Sequence, residues 1–105
     1  MIRIWGRNSS SNVQKVLWTA AEIGIEFERI DAGGSFGRTA DPDYRAMNPN
    51  GLVPTIEDDD FVLWESNTIC RYLAAKYSAT SLYPVELRRR ADVERWQDWS
   101  STVLA

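Results

Sequence analysis

Met47-Asn48-Pro49-Asn50-Gly51-Leu52-Val53-Pro54-Thr55-Ile56 sets two prolines and a glycine hard against a β-branched run. A constrained loop must therefore feed straight into a strand. Pro54 has no N–H to give a sheet ladder, so it belongs at the strand's entrance, where it holds the preceding Val53 extended. Val53 can then offer its own N–H and C=O to something other than the sheet.

Downstream, residues 53–57 and 61–64 are short apolar runs separated by Asp58-Asp59-Asp60, which reads as an antiparallel hairpin with its acidic tip in water rather than as a metal site. Ser66 is placed to cap the helix that follows, along which Ile69, Tyr72, Leu73 and Tyr77 recur at helical spacing. Cys70 lies beside that apolar face and reads as a small core residue, since nothing near it in sequence would lower a thiol pKa.

Upstream, Ile2, Ile4 and Trp5 predict a first strand, ended by Gly6 and the polar cluster Arg7-Asn8-Ser9-Ser10-Ser11-Asn12. Val13, Val16, Leu17 and Ala20 then predict a helix over about 12–23, capped by Ser11 or Asn12 and closed by Gly24. Ile25, Phe27 and Ile30 predict a second strand, Gly33-Gly34-Ser35-Phe36-Gly37 a flexible loop, and Asp41-Pro42-Asp43 the start of a short helix ending near Met47.

After a linker over 79–84 the chain becomes helical again from about Val85, with Val93, Trp96, Ser100, Val103 and Leu104 along one side. Trp96 and Trp99 are large apolar surfaces with too few partners in the remaining chain, so residues 85–105 are expected to open a second, helical domain after a first domain over 1–78. Arg88-Arg89-Arg90 is assigned to that helix's wet side.

Composition narrows the chemistry. The 105 residues carry a formal charge of −3, 44% hydrophobic and 26% charged residues, which suits an ordinary globular domain and gives no electrostatic footprint for nucleic acid. One cysteine and no histidine exclude an internal disulfide, the usual zinc sites and any histidine-based nucleophile. No secretory apolar segment and no membrane-length apolar run are present, so a cytoplasmic protein is expected, where a free thiol is at home.

The order β-α-β-α-β-β-α resembles the thioredoxin-like fold, an α/β class. Asn48-Pro49-Asn50-Gly51-Leu52-Val53-Pro54, followed by Leu63-Trp64-Glu65-Ser66-Asn67-Thr68-Ile69 and Arg71-Tyr72-Leu73, resembles the N-terminal domain of a cytosolic glutathione S-transferase, and Trp5-Gly6-Arg7-Asn8 with Asn12-Val13-Gln14-Lys15-Val16 is similar to bacterial members. The resemblance covers about residues 1–77 and extends into the opening of the family's helical domain. A thioredoxin or glutaredoxin fits less well, because no active-site cysteine follows the first strand.

The resemblance implies glutathione as co-substrate, a small electrophile as second substrate and a homodimer. It implies a cis Pro54 that leaves the Val53 backbone to pair with the cysteinyl part of glutathione as an added strand. Glu65 and Ser66, at a helix N-terminus, would hold the γ-glutamyl end. A hydroxyl or amide of Ser9-Ser10-Ser11-Asn12 would stabilise the glutathione thiolate. Ser10 assisted by Asn12 is the favoured set, with Ser11 one residue away. Arg38 is the nearest cation for the glycine carboxylate, and Asn50 and Leu52 flank the groove. Related thiol chemistry, such as dehalogenation or disulfide reduction, and a non-catalytic interaction or dimerisation module are the alternatives.

Overall fold

The computed structural model describes residues 1–104. Strands β1 (Ile2–Trp5), β2 (Phe27–Ile30), β3 (Thr55–Asp58) and β4 (Phe61–Trp64) form one sheet in the order β2-β1-β3-β4. β1 runs parallel to β2 and antiparallel to β3, and β3 pairs antiparallel with β4, so Ile4 faces Ile56 across the ladder.

Alternation in β1 decides the layers. Ile2 and Ile4 turn to the face covered by helices α1 (Ser11–Ile23) and α3 (Ser66–Lys76), where they join Val16, Ala20, Ile56, Ile69 and Leu73 in the core. Trp5 turns to the other face and meets Tyr44 of the short helix α2 (Pro42–Met47) edge-on, with ring centres 6.0 Å apart. The fold is thus the thioredoxin-like arrangement the element order predicts.

Several local expectations are corrected. The cap of α1 is Ser10, not Ser11 or Asn12. A turn with Ser10 N–H on Arg7 C=O (3.2 Å) brings the chain in one residue early, and Ser10 C=O takes the first helical bond from Gln14 (2.9 Å). Ser66 is the first helical residue of α3 rather than its cap; Glu65 occupies the cap position without a side-chain capping bond. The segment predicted as a flexible loop contains a single 3-10 turn, Gly34–Phe36, closed by Gly33 N–H on Gly37 C=O at 2.8 Å.

The acidic hairpin is not wet throughout. Asp58 is buried at the end of β3, on the face of α3, where its carboxylate accepts from Tyr72 Oη (2.5 Å) and from Lys76 Nζ. Only Asp59 and Asp60 form the exposed tip.

Helix α4 (Leu87–Trp99) starts from a Glu86 cap and runs into a π-helical turn, Ser100–Leu104. Arg88 and Arg89 are exposed as expected, but Arg90 lies over the Tyr83 ring at 4.1 Å and donates to Pro84 C=O. Trp96 and Trp99 pack edge-on at 5.6 Å and remain 59% and 42% exposed.

Candidate active site

The C-terminal ends of β1, β2 and β4 and the N-terminal end of β3 lie at one edge of the sheet, as their parallel and antiparallel pairings require. That edge carries the loop into α1, the loop into β3 and the start of α3. A cleft of about 550 Å³ opens there, lined by Ser11, Asn12, Glu65 and Ser66 and closed on its far side by Asp98 and the π-turn residues Ser100, Ser101 and Thr102.

Val53 sits at the mouth of β3, half-buried, with its peptide bond to Pro54 in the cis form. Neither its N–H nor its C=O has a hydrogen-bond partner among the described residues. The residues on either side are the reverse. Leu52 C=O accepts from Tyr44 Oη (2.6 Å) and Asn48 Nδ2 (3.0 Å), and Thr55 Oγ1 lies 2.8 Å from Tyr44 Oη and accepts from Asn48 Nδ2 at 3.1 Å. This network fixes the chain before and after Val53–Pro54 and leaves the Val53 polar groups without a protein partner among the described residues. Burial raises the Tyr44 phenol above its ordinary pKa, so it stays a neutral donor.

Asn50, expected at the groove, folds back instead: its N–H and Nδ2 both donate to Asn48 Oδ1, at 3.0 and 2.9 Å. Gly51, with a φ of 64°, lets the Arg45 guanidinium pass 2.5 Å from the point a Cβ would occupy.

Ser10 is half-buried at the start of α1 and its Oγ accepts from Val13 N–H at 3.5 Å. A hydroxyl used only as an acceptor keeps its own hydrogen to donate. The N–H groups of Ser11 and Asn12, in the first turn, have no partner among the described residues and point out of the helix end.

Glu65 adopts a φ of 81° and ψ of 108°, outside the regions open to ordinary side chains. Its C=O takes the Ile69 N–H (2.9 Å), and the Ser66, Asn67 and Thr68 N–H groups are unpaired among the described residues. An exposed carboxylate and a cluster of helix-end donors therefore stand side by side on one wall of the cleft.

Two further residues lie elsewhere. Arg38 stands over the Trp5 ring at 5.7 Å, beside a separate hollow of about 240 Å³ that Asp41, Asp43, Tyr44 and Met47 also line, on the α2 face of the sheet. Cys70 is half-buried between α1 and α3, and burial pushes its thiol up from the ordinary range, which agrees with a packing role. Among the described residues no group of His, Cys, Asp and Glu side chains is arranged to hold a metal.

Sequence reasoning missed the clamp of Tyr44, Asn48 and Thr55 and the Asp98 wall. A buried Asn next to a proline-rich turn is a usable signal for the first; for the second, α4 is too polar to betray a packed face.

Residues 1–75 match the family model described as "Glutathione S-transferase, N-terminal domain". The chain is 51% identical over its whole length to the Escherichia coli protein named Glutathione S-transferase GstB, of which it covers 51%. Among solved structures it superposes on the theta class glutathione S-transferase from Xanthomonas axonopodis pv. citri, determined with glutathione bound, at a TM-score of 0.93 and 54% identity over 97% of this chain and 49% of that one. It superposes on an epsilon-class glutathione S-transferase of the housefly, Musca domestica, at a TM-score of 0.94 and 30% identity, covering 99% of this chain and 48% of that one. The chain spans about half the length of the curated relatives it matches. Fold, family model and relatives agree: the chain belongs to the glutathione S-transferase family, in its N-terminal domain.

Proposed function

We propose that the protein to which this chain belongs is a glutathione transferase, which binds glutathione at the cleft, stabilises its thiolate and directs it at a small electrophile. The observation that carries the reading is the unpaired Val53 backbone between the hydrogen-bonded Leu52 and Thr55, at the same sheet edge as the donor-rich start of α3. A ligand backbone laid against Val53 acts as an added strand.

In this reading Pro54 forms the corner, and Asn50, folded onto Asn48, keeps the turn before it closed. The Ser66 hydroxyl and the N–H groups of the first turn of α3 receive the γ-glutamyl carboxylate, while Glu65 meets its ammonium. Ser10 donates its hydroxyl hydrogen to the glutathione sulfur, with Asn12 assisting and the free Ser11 N–H adding positive potential. The thiolate then attacks the electrophile, a carbon–sulfur bond forms, and the electrophile's leaving group departs with its electron pair.

Residues 1–78 would be the glutathione-binding domain, 79–84 a linker and 85–105 the opening of a helical domain, with a homodimer as the working unit. Cytoplasmic residence fits a lone reduced Cys70. Among the described residues no helix is long and apolar enough to cross a membrane.

Calorimetric titration of the full-length protein with glutathione, followed by thiol-consumption assays against a panel of electrophiles, tests the reading. Binding with turnover supports it; absence of binding and of turnover with any electrophile, halide or disulfide removes it and leaves the interaction module.

A further inference from the structure

The strand order gives the ligand a direction. Across the site's edge the order is α3 after β4, Val53 before β3, the Gly6–Arg7 turn after β1, and Gly33-Gly34 after β2. A tripeptide with its γ-glutamyl end at Glu65 and Ser66 and its cysteinyl backbone on Val53 must send its glycine end across β1 towards β2.

Arg7 waits there. Its N–H is fixed to Ala32 C=O at 2.9 Å, and its side chain lies across Gly33 and Gly34. Arg7 Nη1 is 3.2 Å from the point where a Cβ on Gly33 would stand, and Val53 Cγ2 is 3.4 Å from that same point, so guanidinium and Val53 flank one spot of the loop. A Cβ on Gly34 would come within 2.9 Å of Nη1, and both glycines have positive φ, 86° and 56°. The glycines thus make the seat in which Arg7 rests.

Arg7 is half-buried yet has no hydrogen-bond or ionic partner for its guanidinium among the described residues. Its neighbours are otherwise occupied: Arg29 pairs with Asp31 at 2.5 Å and Arg45 donates to Thr39 and Pro49 C=O, both at 3.1 Å. Arg38 is stacked on Trp5, on the α2 face. A partly desolvated, unpaired guanidinium beside an open backbone edge is suited to a carboxylate, which it can take with two parallel N–H donors.

We infer that Arg7, rather than Arg38, is the residue that binds the terminal glycine carboxylate of the tripeptide, an assignment that rests on the glutathione reading above.

The test compares glutathione with its glycyl amide, which lacks only that charge, by calorimetry on the full-length protein. Wild type should bind glutathione about 10- to 100-fold more tightly than the amide, and Arg7→Gln should lose that factor for glutathione while binding the amide as wild type does. Arg7→Lys, which keeps the charge without the fork, should retain part of the discrimination and covers the case in which Arg7→Gln fails to fold. The assignment is overturned if Arg7→Gln still discriminates like wild type, if it weakens both ligands equally, or if Arg38→Gln abolishes the discrimination instead. Failure of wild type to bind either ligand is a separate result, which removes the glutathione reading itself and this assignment with it.

Discussion

Tyr44 of α2 sets its hydroxyl 2.8 Å from Thr55 Oγ1 at the first residue of β3, while also reaching Leu52 C=O three residues earlier. One phenol therefore ties down both sides of Val53–Pro54. Tyr44→Phe leaves a buried carbonyl and hydroxyl one partner short and should cost about 1–3 kcal/mol. Denaturant unfolding measures the loss, and glutathione affinity should fall with it because the Val53 edge is no longer held.

Glu65 separates stability from function. Its φ of 81° is a conformation that costs an ordinary residue about 1–3 kcal/mol, whereas glycine adopts it freely. Glu65→Gly should therefore raise the unfolding free energy, by about 1 kcal/mol after glycine's own entropy cost, yet weaken glutathione binding. Glu65→Gln, which keeps the backbone strain and removes the charge, should weaken binding without the gain in stability.

Ser10 has a structural and a proposed chemical task. Its capping contact is long, 3.5 Å, so Ser10→Ala should cost only about 0.5 kcal/mol of stability. The larger effect should be on the ligand: the thiol titration of bound glutathione, followed by thiolate absorbance, should move up by about 1–2 pH units. An unchanged titration in Ser10→Ala with a shifted one in Asn12→Ala would transfer the role to the amide.

Asp58 links stability to pH. The Lys76 ammonium and then the Tyr72 hydroxyl, both hydrogen-bonded to it, hold its carboxyl below the usual carboxylate value. Because the folded pKa lies below the unfolded one, the stabilisation is complete above the ordinary Asp pKa, about 3.9, and is lost as pH falls through the folded value. Asp58→Asn should lower the melting temperature at pH 7, with the difference from wild type closing below about pH 4.

Cys70 should prove dispensable. Its thiol is raised by burial and lies between α1 and α3, so alkylation of the native chain at neutral pH should be slow and become fast on unfolding. Cys70→Ala should retain glutathione turnover; its loss would show that the thiol takes part in the chemistry.

How much of this could be read from the residues depended on how local the determinants are. Val53-Pro54 and Glu65-Ser66 announce themselves within a few residues, and helices α1, α2 and α3 follow from periodicity and from Gly24 and Pro42. The α1 cap was off by one because Ser9, Ser10, Ser11 and Asn12 are all capping types; only the turn back to Arg7 chooses among them. Asp58 read as part of a wet run because its partners Tyr72 and Lys76 lie 14 and 18 positions away. Arg7 stood out only within the Trp5-Gly6-Arg7-Asn8 match and not as a ligand residue, since what singles it out is a pair of glycines on the neighbouring strand's loop.

Helix α4 buries none of its residues completely. It is fastened to α3 by polar bonds, Arg71 Nη1 to Gln97 Oε1 at 2.8 Å and Asn67 Nδ2 to Gln97 C=O at 3.3 Å, and to the linker by Tyr83 Oη on Glu94 at 2.6 Å. In the 105-residue chain by itself, such contacts with water-accessible alternatives make α4 an opening unit of lower free energy than the sheet, whose core residues are fully buried. Amide hydrogens of α4 should thus exchange well before those of β1 and β3. One wall of the cleft belongs to the fast-exchanging unit and the other to the slow one, so a ligand spanning both would slow exchange in α4 selectively.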